Sequence, residues 1–168
     1  MMRIYLIGFM GSGKTSFGRR LARKLDYDFV DIDQEVESLA GQKVAGVFAE
    51  RGEEGFRNLE CEVLRRTAQS SGVVVATGGG TPCYHNNMDF MLEHGVTVYL
   101  KMSPLSLYRR LEMARKERPL LKGLKGEELL QLIENTLSQR EGVYNRSHCI
   151  IKGETVRPRQ VISLIFGH

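Results

Sequence analysis

Short apolar runs alternate along the chain with longer segments in which apolar residues recur at helical spacing. The apolar runs predict β-strands over residues 3–7, 29–32, 73–76, 96–100 and 149–152. The other segments predict helices over residues 14–25, 34–40, 44–50, 52–70, 86–94, 104–114, 127–144 and 158–166. Alternation of this kind is typical of parallel strands joined by right-handed crossovers. We therefore predict an α/β fold, in which a five-stranded parallel sheet is flanked by helices on both faces.

The length and the composition indicate one ordinary globular domain. With 168 residues, of which 42% are hydrophobic and 26% charged, the chain is long enough for one sizeable core. We predict a single domain over residues 1–168. One segment, residues 115–126, is crowded with basic residues, Pro119 and two glycines, which favours a mobile loop over a helix.

Charge and cysteine content narrow the range of partners. The net charge is +4, and the basic residues are spread over the chain, which disfavours a nucleic-acid partner and suits anionic small molecules. Cys61, Cys83 and Cys149 lack the paired spacing of a zinc site or a disulfide framework, so we expect reduced thiols.

No stretch approaches the roughly 20 apolar residues that span a bilayer, and residues 1–7 predict a strand, not a signal peptide. We expect a cytoplasmic protein without a membrane partner, and a monomer by default.

The strongest local motif is GFMGSGKT at residues 8–15, which fits the phosphate-loop pattern G-x-x-x-x-G-K-[ST]. It lies between a predicted strand and a predicted helix, as the motif requires. Its backbone N–H groups would face a β-phosphate, Lys14 would reach the β- and γ-phosphates, and Thr15 would bind Mg²⁺. A glycine-rich turn without a ligand would not need this lysine and threonine. Nucleotide binding alone, however, does not name a reaction.

Two aspartates mark the end of the second predicted strand. Asp31 and Asp33 would leave the same face of that strand at its carboxyl end, where open α/β sheets hold their ligands. Such a pair could serve Mg²⁺ and a substrate hydroxyl. The alternative for Asp33 is a structural N-cap of the helix predicted from residue 34.

Two further motifs can each be explained without a ligand when they are considered separately. Arg57 and Glu60 lie three apart on a predicted helix, where a solvated ion pair is the usual explanation. Residues 78–80 are three successive glycines after a predicted strand, which either allow a close approach to the backbone or form a plain flexible turn.

Taken in order, the motifs GFMGSGK, DxD, FRxxE, GGG, RPLL and RxxxY, over residues 8–144, resemble those of shikimate kinases. The resemblance implies a fold like that of P-loop nucleoside-monophosphate kinases, a three-layer sandwich with a substrate-binding helical region at about 34–61 and a short lid at about 113–126. It also implies ATP-dependent phosphorylation of the 3-hydroxyl of shikimate, a step of aromatic amino acid biosynthesis, that yields shikimate 3-phosphate and ADP.

The resemblance also implies roles for individual residues. The catalytic residues would be Lys14, Asp33 and Arg118. ATP would be bound by Gly11, Ser12, Gly13, Lys14, Thr15, Ser16, Arg110, Arg118 and Arg157, and Mg²⁺ by Thr15 and Asp31. Shikimate would be bound by Asp33, Arg57, Gly78, Gly79, Gly80 and Arg140. The choice between Arg109 and Arg110 at the adenine, and a contribution of Pro158, stay open.

Within these roles, Asp33 would accept the hydrogen bond of the reactive hydroxyl, and Arg57 and Arg140 would hold the substrate carboxylate while Glu60 orients Arg57. Arg118 would close over the phosphates with the lid. A gluconate-type or nucleoside-monophosphate kinase is an alternative, and so is a non-catalytic nucleotide-binding regulator. A GTPase is disfavoured because the sequence has no N-K-x-D motif.

Overall fold

The five strands form one parallel sheet. The computed structural model describes residues 1–114, 118–121 and 123–167. Its strands are β1 (Arg3–Ile7), β2 (Asp28–Asp31), β3 (Val73–Ala76), β4 (Val96–Lys101) and β5 (Cys149–Lys152). They lie in the order β2-β3-β1-β4-β5, and every neighbouring pair is parallel. The predicted five-stranded parallel sheet is confirmed.

The helices agree with the predicted segments to within a few residues at their ends. They are α1 (Lys14–Leu25), α2 (Ile32–Ala40), α3 (Val44–Arg66), α4 (Asn87–His94), α5 (Pro104–Met113), α6 (Gly126–Tyr144) and α7 (Pro158–Phe166). Within α3, Gly52 has φ 70° and ψ −177°, which only glycine adopts readily, so the helix is divided where two helices were predicted. No helix within the described ranges is long and apolar enough to cross a membrane.

Alternate residues of the central strands are buried in two different hydrophobic cores. Tyr5 and Ile7 pack on one face of the sheet, together with side chains of α3 and α6, whereas Ile4 and Leu6 pack on the other face with side chains of α1 and α7. This two-residue period is the one that a β-strand imposes. Helices therefore cover both faces, and the C-terminal edge of the sheet stays open for a site.

The structure corrects the prediction for the two aspartates. Strand β2 ends at Asp31 instead of residue 32, and α2 begins immediately afterwards. The Asp31 carboxylate accepts a hydrogen bond from the backbone N–H of Gln34 at 3.1 Å, so Asp31 is the N-cap and Asp33 lies in the first helical turn. The same-face strand pair was wrong, and so was the N-cap alternative for Asp33. The reason is that the chain changes from strand to helix between the two residues, and the side-chain period changes with it.

Candidate active site

The phosphate loop joins β1 to α1 and has an anion-binding geometry. Gly11 and Gly13 have φ of 80° and 86°, the left-handed region that glycine populates at little cost. Gly13 is also the N-cap of α1, so the free N–H groups of the first helical turn follow directly. A Cβ on Gly13 would lie 2.7 Å from Nη1 of Arg110, which places that guanidinium against the loop. The loop is therefore shaped to receive phosphate.

Lys14 is buried, and its charge is destabilised in the free protein. Its Nζ donates to the carbonyl oxygens of Gly8 and Phe9, the latter at 2.8 Å. Burial lowers the pKa of Lys14 to about 7; Arg118 and Arg140 also lower it, whereas Asp33 and Asp31 raise it. A phosphate bound in the loop would supply the negative charge that restores the ordinary protonation of this lysine.

A cavity of about 470 Å³ opens beside the phosphate loop, and we call it the nucleotide cavity because residues predicted to bind ATP line it. Its walls include the predicted residues Gly11, Gly13, Lys14, Thr15, Ser16, Asp31, Asp33, Arg110 and Arg118. Of the two adjacent arginines, Arg110 lines this cavity and Arg109 does not. Ser12, a residue of the loop itself, is buried, and its Oγ lies 3.5 Å from Lys14 Nζ.

Arg157 does not line this cavity; it is the exposed N-cap residue of α7, where its backbone N–H donates to Gln160 Oε1 at 2.7 Å. The cavity also contains residues that the sequence did not single out: Arg19, Gln34 and Thr77. Thr77 directly follows β3, a position that could have suggested its place at the open edge.

Thr15 and Asp31, which both line the nucleotide cavity, are hydrogen-bonded to each other. The Thr15 hydroxyl donates to Asp31 Oδ2 at 2.6 Å, which brings two hard oxygen ligands together. Within the described parts of the chain, no group of three or more His, Cys, Asp and Glu side chains could by itself hold a metal. Mg²⁺ suits such a sparse site, because it is usually held by one or two protein oxygens together with water and substrate phosphates.

A second, smaller cavity has a volume of about 60 Å³, and we call it the acceptor pocket because residues predicted to bind the acceptor line it. Its polar walls are formed by Asp33, Arg57, Glu60, Gly78, Gly79, Gly80 and Arg118, and its apolar walls by Met10, Val44, Phe48, Phe56, Pro119 and Leu120. The apolar wall was not predicted, although Phe56 precedes the predicted Arg57. Asp33 and Arg118 line both cavities and therefore lie at the junction between the nucleotide and acceptor sides.

Arg57 and Glu60 form a buried ion pair, not the solvated surface pair that the sequence alone also allowed. Arg57 is 4% exposed and Glu60 is 0% exposed, and Arg57 Nη1 lies 3.0 Å from Glu60 Oε1. Burial raises the pKa of Glu60, while Arg57 and the hydroxyl of Thr81 oppose that rise. The Tyr84 ring covers the guanidinium at 4.2 Å, so Arg57 is held from several sides.

The three glycines leave room for the side chains of the site. A Cβ on Gly80 would lie 2.6 Å from Arg57 Nη2, and one on Gly79 would lie 3.2 Å from Arg140 Nη1. The Tyr144 hydroxyl donates to the Gly79 carbonyl. The close approach predicted at this edge is therefore made by Arg57 at Gly80, by the Met10 backbone and Arg140 at Gly79, and by Glu60 at Gly78, and the plain flexible turn is wrong.

Three buried arginine nitrogens have no hydrogen-bond partner among the described residues: Nε of Arg57, Nε of Arg118 and Nη1 of Arg140. Burial also lowers the pKa of Arg118, whereas the nearby carboxylates of Asp33 and Asp31 raise it. Unpaired buried donors are costly, so their occurrence at one sheet edge indicates anionic ligands that complete the site.

Comparison with known proteins identifies the family. A sequence profile described as shikimate kinase matches residues 10–167. The shikimate kinase of Phocaeicola vulgatus is 41% identical over 162 residues, which cover 96% of this chain and 93% of that protein. The chain belongs to the shikimate kinase family. The resemblance carried by the six motifs is thus confirmed, and as a member of this family the protein is a kinase that uses ATP.

Solved structures agree with this family assignment. The shikimate kinase from Bacteroides thetaiotaomicron superposes with a TM-score of 0.93 at 38% identity, over 98% of both chains. The shikimate kinase from Acinetobacter baumannii in complex with shikimate superposes with a TM-score of 0.90 at 33% identity, over 99% of this chain and 94% of that one. A deoxyadenosine kinase from M. mycoides superposes with a TM-score of 0.61 at 16% identity. This likeness supports only the predicted fold. The gluconate-type and regulatory alternatives find no support among these relatives.

Proposed function

We propose that the protein transfers the γ-phosphoryl group of ATP to the 3-hydroxyl of shikimate and so forms shikimate 3-phosphate and ADP. The observation that carries this proposal is the junction formed by Asp33 and Arg118, which line both the nucleotide cavity and the acceptor pocket. A phosphoryl group and a hydroxyl that meet there are placed for in-line transfer, in which positioning and charge neutralisation supply most of the catalysis.

On the acceptor side, the carboxylate of shikimate would bind Arg57 and Arg140, whose unpaired Nε and Nη1 are the donors that this anion satisfies. The backbone N–H groups of Gly79 and Gly80 would bind its hydroxyls, and Gly78, whose Cβ would lie 2.9 Å from Glu60 Oε2, would let the site side chains pack against this turn. Asp33 accepts the hydrogen bond of the reactive hydroxyl and takes its proton as the oxygen bonds to phosphorus. The helical region at 34–61 would carry most of this acceptor surface.

On the nucleotide side, the backbone around Gly11, Ser12 and Gly13 and the hydroxyl of Ser16 would bind the phosphates, while Arg110 stacks on adenine. Lys14 and Arg118 neutralise charge that develops on the transferred group. Thr15 and Asp31 would hold Mg²⁺, which would supply positive charge beside the phosphates. A contact of Arg157 with the adenine stays a prediction.

The proposed lid at 113–126 includes Arg118, which would reach the phosphates when the segment closes and would exclude water. Residues 115–117 and 122 of this segment lie outside the described residues. We further propose that residues 1–168 form a single kinase domain, which acts in the cytoplasm as a monomer on small molecules, without nucleic-acid or membrane partners.

The decisive experiment is a coupled assay of ADP release from MgATP with shikimate, gluconate, AMP or no acceptor. We expect turnover with shikimate, and its loss in Asp33→Asn and Arg57→Ala. The matched control is Arg66→Ala on the same helix, since the Arg66–Glu62 pair is about half exposed and should be worth little. Faster turnover with gluconate or AMP would refute the assignment of the acceptor. Nucleotide binding without turnover on any acceptor would refute the kinase reaction itself.

A further inference from the structure

A buried threonine lies behind the Arg57–Glu60 pair, outside the motifs that define the site. Thr81 is 0% exposed and begins the short 3₁₀ turn Thr81–Cys83, immediately after Gly80. Its hydroxyl donates to Glu60 Oε2 at 2.8 Å. The same oxygen is 3.3 Å from Arg57 Nη1, whereas Glu60 Oε1 is 3.0 Å from it. Thr81 therefore supplies the shorter hydrogen bond to one of the two Glu60 oxygens.

Thr81 is itself held from the opposite side. Asn87, which is 0% exposed and begins α4, donates from Nδ2 to the Thr81 carbonyl at 2.9 Å. The Thr81 backbone N–H donates to the Gly78 carbonyl at 3.1 Å. A continuous series of hydrogen bonds thus runs from α4 through Thr81 and Glu60 to the Arg57 guanidinium in the acceptor pocket.

We propose that Thr81 is a positioning residue that holds Glu60 as the anionic partner of Arg57 and thereby sets the affinity of the acceptor pocket for a carboxylate. The proposal rests on the proposed function, because the carboxylate is that of the acceptor. Thr81 itself does not touch the acceptor; it acts through Glu60 and Arg57.

Glu60 needs the hydrogen bond from the Thr81 hydroxyl because Glu60 is buried. A carboxylate without solvent stays ionised only if donors surround it, and a missing donor leaves an uncompensated oxygen. The groups that face Glu60 are Arg57 on α3, Asp33 on α2 and Cys83 on the 3₁₀ turn. Burial raises the pKa of Glu60, Arg57 and the Thr81 hydroxyl oppose that rise, and Asp33 adds to it, so loss of the hydroxyl would raise this pKa further. A protonated Glu60 would no longer orient Arg57 as an ion pair does.

The test compares Thr81→Val, which keeps the shape and loses the hydroxyl, with Thr81→Ser, which keeps the hydroxyl. We measure KM for shikimate and for ATP between about pH 5.5 and 8.5. In the valine variant we expect KM for shikimate to rise about 10-fold, the size expected for a lost buried hydrogen bond, while KM for ATP and kcat change less than about 3-fold. The rise should grow as the pH falls, because the pKa of Glu60 is higher without the hydroxyl. The serine variant should stay within about 3-fold of the wild type.

Several outcomes would overturn the proposal. An unchanged KM for shikimate in Thr81→Val would do so, and so would an equal loss in the serine and valine variants, since the serine variant keeps the hydroxyl and the loss could not then be assigned to it. A parallel rise of both KM values with a lower melting temperature would assign Thr81 a merely structural role.

A second measurement separates this proposal from the proposed function. In protein labelled with ¹³C at glutamate carboxyls, the Glu60 signal is assigned by its absence from Glu60→Gln and is titrated in the wild type and in Thr81→Val. We expect Glu60 to titrate at a higher pH in the valine variant, and an identical titration would refute the Thr81–Glu60 link. If that shift appears although the wild type does not turn over shikimate, the link stands and the assignment of the acceptor fails.

Discussion

The hydrogen-bond acceptors of Lys14 and the groups that hold Arg57 come from very different distances along the chain. Lys14 donates to Gly8 and Phe9, which lie within six residues of it. Arg57 is covered by the Tyr84 ring, closely approached by Gly80 and paired with Glu60, which in turn depends on Thr81. The phosphate loop is therefore assembled by one short segment, whereas the acceptor pocket depends on how α2, α3 and the segment after β3 pack together.

This difference has a consequence for function. A local loop keeps its geometry as long as its own strand and helix persist, so changes elsewhere should alter it little. A pocket assembled from several segments is sensitive to small shifts in any of them, because a misplacement of about 1 Å can cost about 100-fold in rate. We therefore expect nucleotide binding to be robust, and acceptor binding to respond to substitutions that touch no ligand.

The largest effect is expected within the phosphate loop. Lys14→Met should lower kcat by about 10²–10³-fold, because it removes a buried positive charge from the position of the transferred group. The control is Lys24→Met, an exposed lysine in the last turn of the same helix, which should keep kcat within about 2-fold. Steady-state kinetics at saturating substrates measure both. A loss below about 10-fold in Lys14→Met would remove this lysine from the catalytic residues.

Gly80→Ala tests the sensitivity of the acceptor pocket. The added Cβ would lie 2.6–2.8 Å from the guanidinium atoms of Arg57 and must displace them. We expect KM for shikimate to rise about 10- to 100-fold, with KM for ATP nearly unchanged. Gly142→Ala in the exposed part of α6 is the control, since its added Cβ meets no atom within 4 Å. If both KM values rose together in Gly80→Ala, the two regions would not be independent.

The protonation of Lys14 gives a pH-dependent test of the loop. Its pKa is about 7 in the free protein, so at pH 8 it is mostly neutral, and a bound phosphate should raise that pKa and draw a proton from the buffer. We expect ADP binding at pH 8 to take up about one proton. Calorimetry in two buffers of different ionisation enthalpy measures the uptake, and Lys14→Met should abolish it. Equal apparent binding enthalpies in both buffers would contradict the lowered pKa.

The smallest effect concerns stability and not binding. Gly142→Ala should raise the free energy of unfolding by about 0.5–1 kcal/mol, because alanine is the better helix former at an open position. The melting temperature should rise by about 1–4 °C, and kcat should stay unchanged. Thermal unfolding monitored by circular dichroism checks this. A lower melting temperature would mean that this part of α6 has no room for a side chain.

The sequence alone predicted most of the fold and the nucleotide side. Strands β1, β3 and β5 begin and end at the predicted residues, because their apolar runs are bounded by residues that break the pattern. The phosphate loop could be located from its spacing, since glycine, lysine and threonine there act within a single turn of chain. The motif order also predicted the family, which the comparisons confirm.

Only the tertiary structure decided how the acceptor side is built. It placed Asp31 as the N-cap and Asp33 in the helix, brought Arg140 against Gly79, and gave Glu60 its buried partner Thr81. The period of a strand or helix follows from backbone geometry and can be read from a few residues. The contacts between distant side chains follow from the packing of whole helices on the sheet, and no local pattern of residues contains that information.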